Sequence, residues 1–69
     1  MKTSFEFEHQ GRRVKACNVR FARSGYVETK LFDFRVERPT GWLYQGTLSF
    51  SIRATKKDII QAFANYIGL

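Results

Sequence analysis

The sequence predicts an α+β domain, a four-stranded antiparallel meander sheet (β-β-β-β-α) with one C-terminal helix packed on its aromatic face. Apolar and polar residues alternate in four successive segments, short turn sequences separate them, and the last segment changes to helical spacing. A chain of 69 residues is long enough for one small domain, residues 1–69, and too short for a second.

The strands are predicted from alternation and the turns from glycine and proline. The predicted strands are residues 3–9, 12–23, 26–38 and 42–54. The predicted turns are Gln10-Gly11, Ser24-Gly25 and Pro39-Thr40-Gly41. Thr55 and Asp58 have the spacing of a capping box, so a helix is expected to begin there and to run to about Ile67, with Gly68 as its stop. Its apolar stripe would be Ile59, Ile60, Phe63 and Ile67.

The turns fix which residues lie opposite each other. The expected pairs are Phe7 with Val14, Phe5 with Ala16, Phe21 with Glu28, Val19 with Lys30, Val36 with Tyr44, Phe32 with Leu48, and Phe34 with Gly46. These pairs share one buried face only if the second strand changes parity after Ala16. We therefore predict a β-bulge near Cys17-Asn18, without which Lys15 would point into the core.

In this register the aromatic residues and the arginines separate. Every strand aromatic is expected on the side that the helix covers, namely Phe5, Phe7, Phe21, Tyr26, Phe32, Phe34, Trp42, Tyr44 and Phe50. The other side is expected to show basic residues among polar ones, interrupted by Asp33 and Glu37, with Leu31 and Leu43 as its only large apolar residues. Its basic residues would be Arg13, Lys15, Arg20, Arg35 and Arg53.

Catalysis has little support in the sequence. His9 has no serine or cysteine partner in a recognisable motif, and Cys17 is interpreted as a small buried residue. Glu6 and Glu8 are typical of a charged edge strand, and no Cys and His spacing indicates a metal site or cofactor. We therefore expect a non-enzymatic protein with no cofactor. One cysteine, no apolar run long enough for a bilayer and no signal sequence favour the cytoplasm, with no membrane partner.

The charge distribution favours nucleic acid as the partner. The net charge is +6, and residues 12–23 carry five cations and no carboxylate, four of the five being arginine. Arginine's planar fork matches phosphate geometry, and a basic strand in mid-sheet could follow a phosphate backbone. The predicted binding residues are Arg12, Arg13, Lys15, Arg20, Arg23, Arg35 and Arg53.

Duplex DNA is the expected target, because single-strand readers display aromatic residues on the open sheet face and none is expected there. Arg13 would lie opposite Arg35 on that face, a pair that an anion would stabilise. The outline of a small sheet and one C-terminal helix is similar to the arm-binding domains of phage and transposon integrases. That similarity is consistent with a bacterial or phage origin, although no motif of the family matches and the first strand is additional.

The alternative is a protein-interaction module, a small inhibitor or adaptor acting through an aromatic surface. One helix about 20 Å long cannot cover strands of roughly 40 Å unless the sheet coils. Tyr26, Trp42 and Tyr44, near the strand ends, are then the predicted interface residues, either for another protein or for a homodimer.

Overall fold

The computed structural model describes residues 4–67 and contains one antiparallel sheet of four strands in the order β1-β2-β3-β4, followed by one helix. The elements are β1 (Phe5–His9), β2 (Arg12–Ser24), β3 (Val27–Arg38), β4 (Gly41–Ser51) and α1 (Lys56–Ile67). Each strand pairs with the next along the chain, which confirms the predicted meander and the α+β class. Two predicted features, Thr3 in the first strand and the Gly68 stop, lie outside the described residues.

The helix packs on one side of the sheet, which we call the helix face. Phe63 is fully buried there, with its ring centroid 4.8 Å from that of Phe34 in a stacked arrangement and 5.6 Å from that of Phe7 edge to face. The buried core consists of Val14, Ala16, Phe32, Phe34, Val36, Ile59 and Phe63. The core therefore combines three phenylalanines with aliphatic residues, and Phe5, Phe7 and Phe50 pack against it.

The start of α1 confirms the capping box. The Asp58 amide donates to Thr55 Oγ1 at 3.2 Å, and the Thr55 amide donates to Asp58 Oδ2 at 3.0 Å. These two bonds satisfy donors that a helix N-terminus leaves unpaired, so the chain turns sharply from β4 into the helix. The hydrogen bond from the Thr55 amide lowers the pKa of Asp58.

The bulge predicted in β2 is present. The pairing of β2 with β3 shifts register between Cys17 and Arg20, and Asn18 has a φ of 53°. Asparagine adopts this left-handed conformation more readily than most residues. Because one extra residue is inserted after Ala16, Lys15 stays off the core and Val19 returns to it.

The turn between β2 and β3 is not the predicted Ser24-Gly25. Ser24 pairs with Val27, so the turn residues are Gly25 and Tyr26. Gly25 has a φ of 62° in the first turn position, which is where a type II′ turn requires glycine. The predicted partners of Phe21 and Val19 are therefore wrong, because Phe21 pairs with Lys30.

A second bulge, absent from the prediction, lies in β4. Phe32 pairs with Leu48 and Phe34 with Gly46, as expected, but Arg35 then pairs with Tyr44. Gln45 is therefore the extra residue, next to Gly46 with a φ of 151°.

This bulge corrects the expectation for the end of β4. Val36 pairs with Leu43 instead of Tyr44, and the turn before β4 is Pro39-Thr40, because Arg38 pairs with Gly41. Leu43 thus shares the side of Val36, the helix face. Trp42 and Tyr44 lie on the opposite side, which corrects the prediction that all strand aromatics share one face.

Two further predicted positions change. Tyr26 is in a turn and fully exposed, so it belongs to neither face of the sheet. β4 ends at Ser51, where the Ala54 amide donates to the Ser51 carbonyl at 3.0 Å, so Arg53 lies in the connection to α1 and not on a strand.

Candidate nucleic-acid interface

The side of the sheet away from α1, which we call the open face, carries as many carboxylates as cations. The pairing places four cations there, Arg13, Lys15, Arg20 and Arg35. The same face carries four carboxylates, Glu6, Glu8, Asp33 and Glu37. The open face contributes no net charge, so the net +6 of the chain comes from other residues.

Arg13 is held between two carboxylates. It forms a salt bridge with Glu6 on β1, and its Nη1 lies 4.0 Å from a carboxylate oxygen of Glu37 on β3. The predicted pair of Arg13 with Arg35 is wrong, because the Gly25-Tyr26 turn shifts the register and places Lys15 opposite Arg35. Counting charge along one strand overstated the basic character of the surface, because the neutralising residues come from neighbouring strands.

Asp33 is the most buried charged residue of the described chain, with 9% of its surface exposed. It accepts hydrogen bonds from Asn18 Nδ2 at 2.7 Å, Thr47 Oγ1 at 2.7 Å and Arg20 Nη1 at 3.0 Å. The bonds from Asn18 and Thr47, then the charge and hydrogen bond of Arg20, lower the pKa of Asp33 to about 2. Arg20 is thereby committed to the β2 bulge.

The aromatic rings of the open face are also engaged. The Trp42 ring has Lys15 Nζ at 4.6 Å and Arg13 Cζ at 5.9 Å from its centroid, both in cation–π geometry. The Tyr44 hydroxyl and Thr47 Oγ1 are 2.6 Å apart and hydrogen-bonded. Trp42 thus contacts cations of β2 and Tyr44 bonds within β4, so both side chains are partly occupied by the face that displays them.

The remaining predicted binding residues are distributed over the ends of the molecule. Arg23 Nε on β2 lies 3.9 Å from Glu28 Oε2 on β3, in an exposed ion pair. Arg12 and Arg38 line a cavity of about 240 Å³ together with Gln45, near the end of α1. The structure therefore does not bring the seven predicted residues together on one surface.

A concentration of positive charge that the sequence analysis missed lies where β4 passes into α1. We call it the basic end: Lys30, Arg53, Lys56 and Lys57. Lys30 Nζ donates to the Ala54 carbonyl at 2.9 Å, which brings β3 against the connection. The carboxylates nearest in sequence are Asp58, which is occupied by the capping box, and Glu28, whose Oε2 lies 3.9 Å from Arg23 Nε. The sequence-based prediction did not include Lys30, Lys56 and Lys57, because it considered the run of cations within residues 12–23.

The β2–β3 hairpin projects beyond this end. Within residues 4–67, β1 pairs with β2 only as far as Ala16, and β4 pairs with β3 only as far as Thr29. We call residues 20–28 the ribbon. It exposes 70% of Phe21, 62% of Val27 and all of Tyr26. The strand ladder places Phe21 opposite Lys30, so an exposed aromatic ring adjoins the basic end.

The structure offers no inorganic centre among residues 4–67, where no three His, Cys, Asp or Glu side chains are grouped to hold a metal ion. Cys17 is half-buried, with its Sγ 3.7 Å from the Asp33 carbonyl oxygen. Within the same range, no helix is long and apolar enough to cross a membrane.

Set against models of known protein families, against curated proteins and against solved structures, the chain matches none of them. The function is therefore inferred from the positions of the charged and aromatic residues of the chain itself.

Proposed function

We propose that the protein is a non-enzymatic nucleic-acid-binding module that contacts phosphates through cations without carboxylate partners. One observation carries the proposal: the open face balances its charges, whereas the four cations of the basic end adjoin two carboxylates, Asp58 in the capping box and Glu28 in an ion pair with Arg23. Uncompensated lysine and arginine side chains release counterions from a phosphate backbone, which is the main source of non-specific affinity for nucleic acid.

The basic end is also accessible to a phosphate. Lys56, Lys57 and Arg53 are exposed, so they can bind phosphate without first leaving a buried position. Lys30 uses one donor on Ala54, and an ammonium group has two more. The cations of the open face would instead present phosphates with the neighbouring carboxylates of Glu6 and Glu37, which repel them.

Two variants with the same charge change test which surface binds. Lys56→Gln with Lys57→Gln removes two charges from the basic end, and Lys15→Gln with Arg35→Gln removes two from the open face. Fluorescence anisotropy with a labelled oligonucleotide at two salt concentrations measures both. We expect the basic-end variant to lose affinity and to flatten the plot of log K against log salt by about two contacts. The open-face variant should bind like the wild type.

The sequence-based prediction that duplex DNA binds through the second strand is tested in the same titration. If it holds, replacing Arg13, Lys15 and Arg20 by Gln should flatten the plot of log K against log salt by about three contacts, while the basic-end variant should bind like the wild type. Such a result would overturn the assignment to the basic end and keep nucleic acid as the partner.

The exposed ribbon favours a second candidate, a protein-interaction module. Phe21, Tyr26 and Val27 are large apolar side chains of the ribbon that the protein leaves exposed, and exposed apolar residues often mark protein contacts. If wild-type protein binds no oligonucleotide at low salt, this candidate replaces nucleic-acid binding.

A further inference from the structure

We infer that the nucleic acid is single-stranded and that one of its bases stacks on the Phe21 ring beside the basic end. This inference rests on the proposed function and adds the class of nucleic acid. Proteins that bind single strands combine a positive surface along the backbone with aromatic rings under the bases, and the ribbon and the basic end together supply both.

The position of Phe21 is the first support. Phe21 lies opposite Lys30 on β3, and Lys30 lies opposite Phe50 on β4, so the three form one row across the helix face. Phe50 is packed against the core, but Phe21 is 70% exposed because the core does not extend to the ribbon. A large apolar ring in this position gains stability when a flat partner covers it.

The second support is that the cation opposite this ring is fixed in place. Lys30 Nζ is anchored on the Ala54 carbonyl at 2.9 Å, in the connection that also carries Arg53. The phosphates of a strand whose base covers Phe21 would therefore meet the Lys30 ammonium group next to the ring.

The two forms of nucleic acid differ in what they offer to such a ring. In a duplex the base faces are stacked on each other, and a protein reaches only edges and phosphates. An unpaired base exposes its face, and stacking on an aromatic ring is tolerant of sequence. An exposed Phe21 ring could therefore stack on a base of a single strand, whereas a duplex would offer it no base face.

The open face also carries aromatic residues, but its charge argues against it. Trp42 already has Lys15 and Arg13 over its ring, and four carboxylates share the surface with four cations. Stacking at Trp42 would require cations to leave the ring and phosphates to approach Glu37. Among the described residues no cation lies over the Phe21 ring, and the carboxylate on its side of the ribbon, Glu28, is paired with Arg23, so we assign the base to the ribbon.

The test compares wild type with Phe21→Ala, using a fluorescent twelve-residue oligothymidylate and a duplex of the same length. Wild type should bind the single strand more tightly than the duplex. Phe21→Ala should weaken single-strand binding by roughly 5- to 150-fold, the range for loss of one base stack, and leave duplex binding unchanged. Ile52→Ala is the matched control, since Ile52 is 43% exposed at the same end and is not aromatic. It should bind like the wild type.

Phe21→Trp gives a second, spectroscopic measurement. The new indole should retain tight binding, and its fluorescence should be quenched when oligothymidylate is added, beyond any change that wild type shows from Trp42. Circular dichroism melts of all variants report whether folding is retained, and the exposed position of Phe21 predicts that it is.

The possible failures are distinguishable. Equal binding of Phe21→Ala and wild type to the single strand overturns the stacking inference, while a loss in the Lys56 and Lys57 variant still supports the proposed function. Absence of binding by wild type to either form overturns both. A dimer that Phe21→Ala converts to a monomer, measured by light scattering, would assign the ribbon to a second copy of the chain.

Discussion

The open face and the basic end contain similar numbers of cations, yet they differ in what surrounds them. On the open face β1 and β3 contribute the carboxylates, and Arg13, Arg20 and Lys15 are used in salt bridges, in the Asp33 cluster and over the Trp42 ring. At the basic end the cations come from β3, from a connection and from the first turn of α1, where few carboxylates are near. A charged surface is therefore available for binding only where its charges are not already paired.

The largest expected effect comes from separating the helix from the sheet, which would disperse the basic end and leave the open face with its pairs. Phe63→Ala removes the buried ring that stacks on Phe34 and should cost about 3–5 kcal/mol of the free energy of unfolding. For a domain this small that is close to the whole stability. Chemical denaturation measures it, and a variant with wild-type stability would show that α1 does not hold the core together.

Removing the charge at the centre of the open face should have the next largest effect. Asp33→Asn weakens the bonds from Asn18, Thr47 and Arg20, and we expect a loss of about 1.5–3 kcal/mol, the range for hydrogen bonds to a charged group.

The same carboxylate should make stability depend on pH. Since folding lowers the pKa of Asp33 to about 2, its contribution is complete above the unfolded value near 4 and disappears as the pH falls towards 2. The contribution is on the order of 2 kcal/mol. Thermal melts at several pH values should show a smaller loss in this window for Asp33→Asn than for wild type. Parallel curves for the two proteins would mean that the carboxylate is not stabilised by its neighbours.

Substitutions of Asn18 separate its two contributions to the β2 bulge. Asn18→Gly keeps the left-handed conformation without strain and loses only the hydrogen bond to Asp33. Asn18→Ala loses the same hydrogen bond and also strains the left-handed backbone. We expect Ala to cost about 1–2 kcal/mol more than Gly, the penalty of a left-handed backbone for residues with a Cβ. Equal melting temperatures for the two variants would contradict the left-handed conformation at this position.

The smallest effect is expected at Arg13. Its bridges to Glu6 and Glu37 are exposed to solvent, and such pairs contribute little to stability. Arg13→Gln should therefore melt close to wild type and bind oligonucleotides unchanged, although it removes one of the arginines that the sequence analysis emphasised. A marked loss of affinity would show that the open face is an interface despite its balanced charge.

The sequence was sufficient for the elements and for one bulge. Alternation located all four strands, the Thr55 and Asp58 spacing located the helix start, and the conflict between Ala16 and Val19 required the extra residue at Asn18. These features leave local or pairwise marks that an alternation pattern records.

The second bulge left no such mark. Either side of β4 near Gln45 has apolar or aromatic residues, so both registers produce a plausible buried face. The choice depends on Gly46, whose backbone is covered by the Tyr66 ring of α1, a contact between distant parts of the chain. Because this change of parity was not recognised, the prediction placed Trp42 and Tyr44 on the wrong face. The preference for duplex DNA depended on an open face without aromatic residues, so that reason is lost as well.

The two bulges also have a mechanical consequence. They flank the same short stretch of β3, since β2 changes register beside Asp33 and β4 beside Phe34. Regular pairing is therefore interrupted on both sides of β3 along one transverse line, which separates the part of the sheet that contains β1 from the part that ends in the ribbon. Asn18, Asp33 and Thr47 bridge the strands at that line through hydrogen bonds. Protonating or replacing Asp33 should weaken the sheet along this line. Amide hydrogen exchange should therefore accelerate in the part that ends in the ribbon before it accelerates in the part that contains β1.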